Sequence, residues 1–199
     1  MIFDLWNTLA AWPDDEAQAF FGAAGIDSAI WAETSDARWT VPLAEYLSGL
    51  GLGPDQVAAV SALRRETTRR LGIPVAGALG VLDAVRDRGL RLGLISNCSS
   101  EVAELWPETE FGSRFDVAVF SAQAGVCKPD PRIYRLALEG LGVEARDAVF
   151  VGDGGSDELA GAERVGMRAV QVGSRDGWDG ERIETLDGLL ALLPNGGER

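Results

Sequence analysis

The chain contains no histidine. That absence removes serine–histidine and cysteine–histidine nucleophile pairs, imidazole general bases and most zinc sites together. Cysteine is scarce: Cys98 and Cys127 are too few for a disulfide framework and suit a reducing compartment. Positive charge is short as well, with 18 Lys and Arg against 31 Asp and Glu. The resulting formal net charge of −13 repels phosphate backbones and argues against nucleic acid as a partner. No stretch is long and apolar enough to span a bilayer, and Met1-Ile2-Phe3 enters a strand-like segment with no basic region or cleavage site before it. The expectation is a cytoplasmic protein whose chemistry rests on carboxylates, lysine or a metal.

What remains is an ordinary globular composition, 46% hydrophobic and 25% charged over 199 residues, enough for one α/β domain with a modest insertion. Apolar runs at 2–5, 90–95, 117–120, 148–151 and 169–172 are bounded by Gly, Asp, Asn or Ser and read as buried parallel strands. Helical periodicity at 76–88, 130–139 and 156–165 lies between them, each stretch followed by a glycine (Gly89, Gly140, Gly166) that fits a helix end. Residues 11–74 break the alternation. Helical patterns at 14–24, 41–50 and 55–71 without a strand predict an all-helical insert between a core of 1–10 and 75–199. Three of the six tryptophans, Trp12, Trp31 and Trp39, fall there and suggest a small core of its own. Arg64, Arg65, Arg69 and Arg70 on its last helix read as a solvated face. Residues 195–199 read as a frayed tail.

Four chemical signals fall where strands are predicted to end, the place at which open parallel sheets hold ligands. Ile2-Phe3-Asp4-Leu5-Trp6-Asn7-Thr8 delivers a carboxylate into a turn. Leu94-Ile95-Ser96-Asn97 delivers a hydroxyl and then backbone amides able to bind an anion. Cys127-Lys128-Pro129-Asp130-Pro131 sets one lysine before a helix start. Val151-Gly152-Asp153-Gly154-Gly155-Ser156-Asp157 carries two carboxylates, hard oxygen donors of the kind magnesium prefers, through a glycine-rich turn.

In order and spacing these motifs resemble those of the haloacid dehalogenase superfamily of hydrolases, whose members include phosphatases, phosphonatases, mutases and dehalogenases. The resemblance runs from Phe3 to Val172. It implies a Rossmann-like sheet with a helical cap inserted after the first strand. It also implies Asp4 as nucleophile, Ser96 as the hydroxyl that orients the transferred group, and Lys128 as the neutralising cation. Mg2+ would be held by Asp4, the backbone carbonyl of Trp6, Asp153 and Asp157. Trp6, Asn97 and Trp12 are expected to meet a small substrate, with Trp39 and Trp106 as further apolar lining. In such phosphatases an apolar strand longer than three residues normally leads into the nucleophile, which points to residues upstream of this numbering.

One position departs from the pattern. Two residues after the nucleophile the family's phosphatases carry a second aspartate that protonates the leaving group; here it is Trp6, whose indole has only an N–H donor. Three readings follow: a magnesium-dependent phosphatase weakened by Trp6, a 2-haloacid dehalogenase attacking carbon from Asp4, and a non-catalytic relative that binds a phosphorylated ligand or a protein. Cys98 and Cys127 flank the second and third motifs and read as inert buried thiols in preference to a redox pair.

Overall fold

The computed structural model describes residues 1–11, 25, 35–71 and 73–193. Six strands form one sheet: β1 (Ile2–Phe3), β2 (Gly93–Ser96), β3 (Val117–Phe120), β4 (Val149–Gly152), β5 (Arg168–Val172) and β6 (Glu181–Ile183). Their order is β3-β2-β1-β4-β5-β6 and every neighbouring pair is parallel. The described helices are α1 (Ser35–Arg38), α2 (Leu43–Gly49), α3 (Pro54–Leu71), α4 (Ala78–Asp87), α5 (Ser100–Leu105), α6 (Ser121–Ala124), α7 (Pro131–Leu141), α8 (Glu158–Arg164) and α9 (Leu189–Leu192). This is the α/β architecture expected from the alternation of apolar runs and amphipathic stretches.

Strand side chains alternate between two separate cores, which is why the strands read as continuous apolar runs. Ile2, Ile95, Phe150 and Ala169 pack on one face with Ile133, Tyr134 and Ala137 of α7 and Leu159 and Ala162 of α8. Phe3, Leu94, Val151 and Val170 pack on the other with Ala78, Val81, Leu82 and Val85 of α4, an i, i+3, i+4, i+7 stripe. Each such aliphatic side chain withdrawn from water contributes about 1.5–3 kcal/mol before chain entropy is subtracted. Trp106, expected as an apolar lining residue, lies in this second core instead, with its ring 5.9 Å from Phe111 and 5.4 Å from Phe120.

Two boundaries differ from expectation. Helix α7 starts where Asp130 accepts a hydrogen bond from Arg132 N at 2.8 Å ahead of Pro131, but it runs past Gly140 and ends at Gly142, which adopts φ 64°. Gly140 is needed for clearance rather than termination, because a Cβ there would lie 2.9 Å from Val117 on β3. Strand β6 has no apolar run to announce it. It is an edge strand that pairs only with β5, so a single inward residue, Ile183, suffices, while Glu181 is tied to Arg168 by two 2.6 Å bonds.

The chain leaves the sheet layer and returns to it at adjacent points: Ala10 bridges Pro74, and Val75 N donates to Leu9 O at 2.8 Å. Between them Leu43, Tyr46, Leu47 and Val60 form a third, separate apolar cluster. Helix α3 docks on α5 through a buried ion pair, Arg64 Nε to Glu101 Oε1 at 2.8 Å, flanked by exposed pairs of Arg65 with Glu104 and Arg69 with Glu108. The solvated-face expectation therefore describes Arg65 and Arg69 but not Arg64, whose burial is compensated by Glu101. The helix expected at 14–24, Trp12, Trp31 and the tail at 195–199 lie outside the described residues. No helix among the described residues is long and apolar enough to cross a membrane.

Candidate active site

The strand order reverses at β1, with β2 and β3 to one side and β4, β5 and β6 to the other. A crevice opens at the carboxyl ends of strands at such a switch point. Asp4 follows β1 directly, its backbone N donating to Val151 O at 2.9 Å. The chain then turns sharply: Asn7 takes a left-handed φ of 60°, Asn7 N donates to Ala10 O at 2.7 Å, and Leu9 N donates to Leu5 O at 2.9 Å. The turn brings Thr8 Oγ1 back to donate to Asp4 Oδ2 at 3.1 Å. Asn7 and Thr8 thus shape the turn and orient the carboxylate.

Lys128 is the only lysine in the chain. Its buried Nζ donates to Asp4 Oδ1 and, at 2.6 Å, to Glu158 Oε2. The loop behind it, where the Lys128–Pro129 peptide is cis, is held by Asn97. Asn97 Oδ1 accepts from Lys128 N at 2.8 Å and Nδ2 donates to Lys128 O at 3.0 Å, a two-point clamp on the lysine's own backbone. Asn97 lines the cavity as expected, but its amide is spent on placing the lysine.

Asp153 follows β4. Its Oδ1 accepts from Gly155 N at 2.9 Å and its Oδ2 from Arg175 Nη2 at 2.7 Å. Arg175 comes from the loop after β5, where Gln171 Nε2 donates to both Asp153 O (3.1 Å) and Arg175 O (2.9 Å). The next acid to reach the site is Glu158, not Asp157. Ser156 and Asp157 both adopt left-handed backbone, φ 54° and 50°, and leave Asp157 exposed while turning Glu158 inward. Glu158 Oε1 accepts from Gly154 N at 3.1 Å. It lies so close to Gly152 that a Cβ there would fall 2.1 Å from this oxygen. Gly152→Ala is expected to push Glu158 off Lys128 and to cost about 1–3 kcal/mol of stability with a parallel loss of activity; thermal melts and turnover of the same variant check both.

These groups share one cavity of about 390 Å³, lined by Asp4, Trp6, Asn97, Lys128, Asp153 and Glu158, and on its other walls by Arg38, Trp39, Arg64 and Arg175. Trp6 is half-buried there, and Trp39 joins it. Ser96 is fully buried and does not line the cavity, whereas Cys98 and Ser99 do; among the described residues its Oγ meets no hydrogen-bond partner of good geometry. Neither cysteine forms a disulfide. Burial pushes the Cys98 thiol up to about 12, so it is a neutral, unreactive thiol near pH 7, whereas Cys127 is only half-buried.

Three carboxylates meet one ammonium. Burial raises the Asp4 carboxyl above its ordinary range against the pull of Lys128. Burial first, then the charge of Asp4, pushes Glu158 up to about 8. Desolvation lowers the Lys128 ammonium, but the charges of Asp4 and Glu158 more than reverse it, so Lys128 stays charged. The sign for stability follows. Between the ordinary glutamate value of 4.5 and about 8 the folded chain binds more protons at Glu158 than the unfolded chain. Stability from this group is full below that window and lost as pH rises through it. In chelator, the melting temperature is expected to fall from about pH 5 to about pH 8, by an amount corresponding to a few kcal/mol at most. Glu158→Gln is expected to flatten that slope. Asp130 and Glu181, held low by Arg132 and Arg168, act in the opposite sense but only in more acid solution.

The donor set also suits a hard divalent cation. Asp4, Asp153 and Glu158 each offer a carboxylate oxygen, all within 4.8 Å of one another, and the raised affinity of Asp4 and Glu158 for protons, caused by burial first and by neighbouring carboxylates after it, is what such an ion relieves.

Comparison with known proteins agrees with this geometry. The chain is 34% identical over 160 residues to a phosphoserine phosphatase of Thermus thermophilus, covering 72% of this chain and 62% of that one. It spans 41% and 49% of the length of two other curated relatives. Among solved structures, a phosphatase of this superfamily from Thermococcus onnurineus superposes with a TM-score of 0.72 at 22% identity, covering 96% of this chain and 95% of that one. A 2-haloacid dehalogenase from Pseudomonas syringae superposes with a TM-score of 0.68 at 21% identity, covering 96% of each. Phosphatase and dehalogenase thus share this fold. Residues 1–166 match the haloacid dehalogenase-like hydrolase family, and the chain belongs to that family.

Proposed function

We propose that the protein is a magnesium-dependent phosphatase that forms an aspartyl-phosphate on Asp4. The observation that carries this reading is the meeting of Asp4, Lys128, Asp153 and Glu158 in one buried cavity at the switch point of the sheet. Asp4 presents its carboxylate where Thr8 fixes Oδ2, and the phosphorus–oxygen bond to the leaving group breaks as the bond to Asp4 forms. Lys128, clamped by Asn97 and paired with Glu158, keeps its ammonium beside the attacking oxygen and neutralises charge on the phosphoryl oxygens. Asp4, the backbone carbonyl of Trp6, Asp153 and Glu158 would hold Mg2+, with Asp157 outside the cluster. When bound, that ion supplies Lewis-acid stabilisation of the phosphoryl group and neutralises the three carboxylates. Ser96, buried at the end of β2, orients the transferred group only if the adjacent backbone shifts to expose its Oγ. Trp6 narrows the pocket and offers an N–H donor but no transferable proton, which favours substrates with good leaving groups such as aryl and acyl phosphates. The insert expected at 11–74 serves as the cap, and two cysteines outside any disulfide, with Cys98 neutral, suit a reducing cytoplasm.

The dehalogenase reading draws on one observation: the Lys128 ammonium pairs directly with Asp4. Two assays separate the readings. An aryl phosphate turned over with Mg2+ and silenced by chelator is the expected result. Halide release from a 2-haloacid that survives chelation reverses the assignment.

A further inference from the structure

Each carboxylate of the cluster has a cation of the chain beside it, and the two cations differ in how firmly they are held. Lys128 is 2% exposed and answers both Asp4 and Glu158. Leaving them would strand its charge away from water. Arg175 answers Asp153, with Nη2 and Nε donating to Oδ2 at 2.7 and 3.2 Å. The other oxygen, Oδ1, accepts from Gly155 N at 2.9 Å, so both oxygens of Asp153 are engaged. The Arg175 side chain is 53% exposed, whereas that of Asp153 is 13% exposed and lines the cavity. The guanidinium can therefore turn out into water at little cost while the carboxylate stays in place. The backbone on both sides is fixed independently of this pair. Buried Gln171 donates to Arg175 O and Asp153 O, tying the loop after β5 to the loop after β4.

We infer that Arg175 is a displaceable counter-ion that competes with Mg2+ for Asp153 and so sets the affinity of the chain for the metal. The inference rests on the reading of Asp4, Asp153 and Glu158 as magnesium ligands. A guanidinium in contact with Asp153 cancels part of the field that attracts a dication, and it repels the ion directly wherever it stays close. Mg2+ binding therefore carries the cost of displacing Arg175, and removing the guanidinium removes that cost. A purely structural role has the opposite sign: an Arg175 needed to hold Asp153 in place would weaken the metal on its loss.

Titration calorimetry with magnesium chloride, in the absence of any substrate, tests it. Arg175→Gln is expected to bind Mg2+ about three- to tenfold more tightly than the wild type. Arg175→Lys keeps a charge near Asp153 but pairs with it less closely, and its affinity is expected to fall between the two. Thermal melts in chelator check that each chain is folded. Should Arg175→Gln melt below the temperature of the titration, Arg175→Lys carries the test alone, with tighter binding than the wild type expected. An affinity in Arg175→Gln that is weaker than the wild type or within about 1.5-fold of it overturns the inference, as does an Arg175→Lys affinity equal to that of Arg175→Gln. The two readings fail separately. Mg2+ that binds none of the three chains removes the magnesium reading and the inference with it, whereas binding that is indifferent to position 175 removes the inference alone.

Discussion

Replacing Asp4 by Asn is expected to lower aryl phosphate turnover by on the order of 10⁴-fold or more while the protein stays folded. The side chain is buried, hydrogen-bonded by Thr8 and paired with Lys128, so an amide of the same shape keeps the contacts and loses the nucleophilic oxygen. Stability is expected to change little. Lys128 retains Glu158 as a buried partner, and one member of a crowded set of carboxylates is gone. The same variant has a second readout: with the Asp4 charge removed, Glu158 releases its proton more readily, so the pH dependence of the melting temperature becomes shallower. A variant that melts normally yet keeps more than about a tenth of the turnover would remove Asp4 from the chemistry.

Trp6→Asp is expected to act in the other direction. The indole lines the cavity near Asp4 but can neither protonate a leaving group nor activate water. A carboxyl introduced among Asp4, Asp153 and Glu158 has its own pKa raised by like charge and is therefore protonated near neutral pH, as a general acid must be. The gain is expected to reach on the order of 10²-fold for alkyl phosphates, which need the proton, and to be slight for aryl phosphates, which do not. Trp6 also packs against the main core, so the variant is expected to lose about 1–3 kcal/mol of stability. Comparing kcat/KM for an alkyl and an aryl ester in both proteins isolates the acid, since loss of packing alone lowers both together. An unchanged ratio in a folded variant means that Trp6 does not stand in the acid's place.

The architecture was legible because both faces of the sheet are covered. Ile2 and Phe3 fill opposite cores, and the same alternation in β2, β4 and β5 produces the apolar runs that mark the strands. Asp4, Lys128 and Asp153 were legible for a related reason: Asp4 and Asp153 lie just beyond strands and Lys128 beyond the short helix that follows β3, and a parallel sheet sends all such ends to one edge. Glu158 was not. Which of Asp157 and Glu158 turns inward depends on two consecutive left-handed residues and on the clearance over Gly152, and local spacing points to Asp157. Asn97 was placed at the site but not in its role, because a side chain that clamps backbone 31 residues away leaves no local pattern. Arg175 carried a usable signal, a cation just past β5, that the four-motif pattern does not include. Arg38 and Arg64 carried none, since the insert's packing decides which of its arginines turn inward.

The most direct test of the central claim is chemical trapping. Without the acid–base residue that Trp6 replaces, hydrolysis of the phosphorylated enzyme should be slow enough for it to accumulate. The protein is mixed with acetyl phosphate and Mg2+, quenched in acid and digested, and its peptides are weighed. The expected result is one phosphoryl group on the peptide containing Asp4, removed by hydroxylamine and missing in Asp4→Asn. Turnover of the donor with no adduct on that peptide, or an adduct that persists in Asp4→Asn, would contradict it.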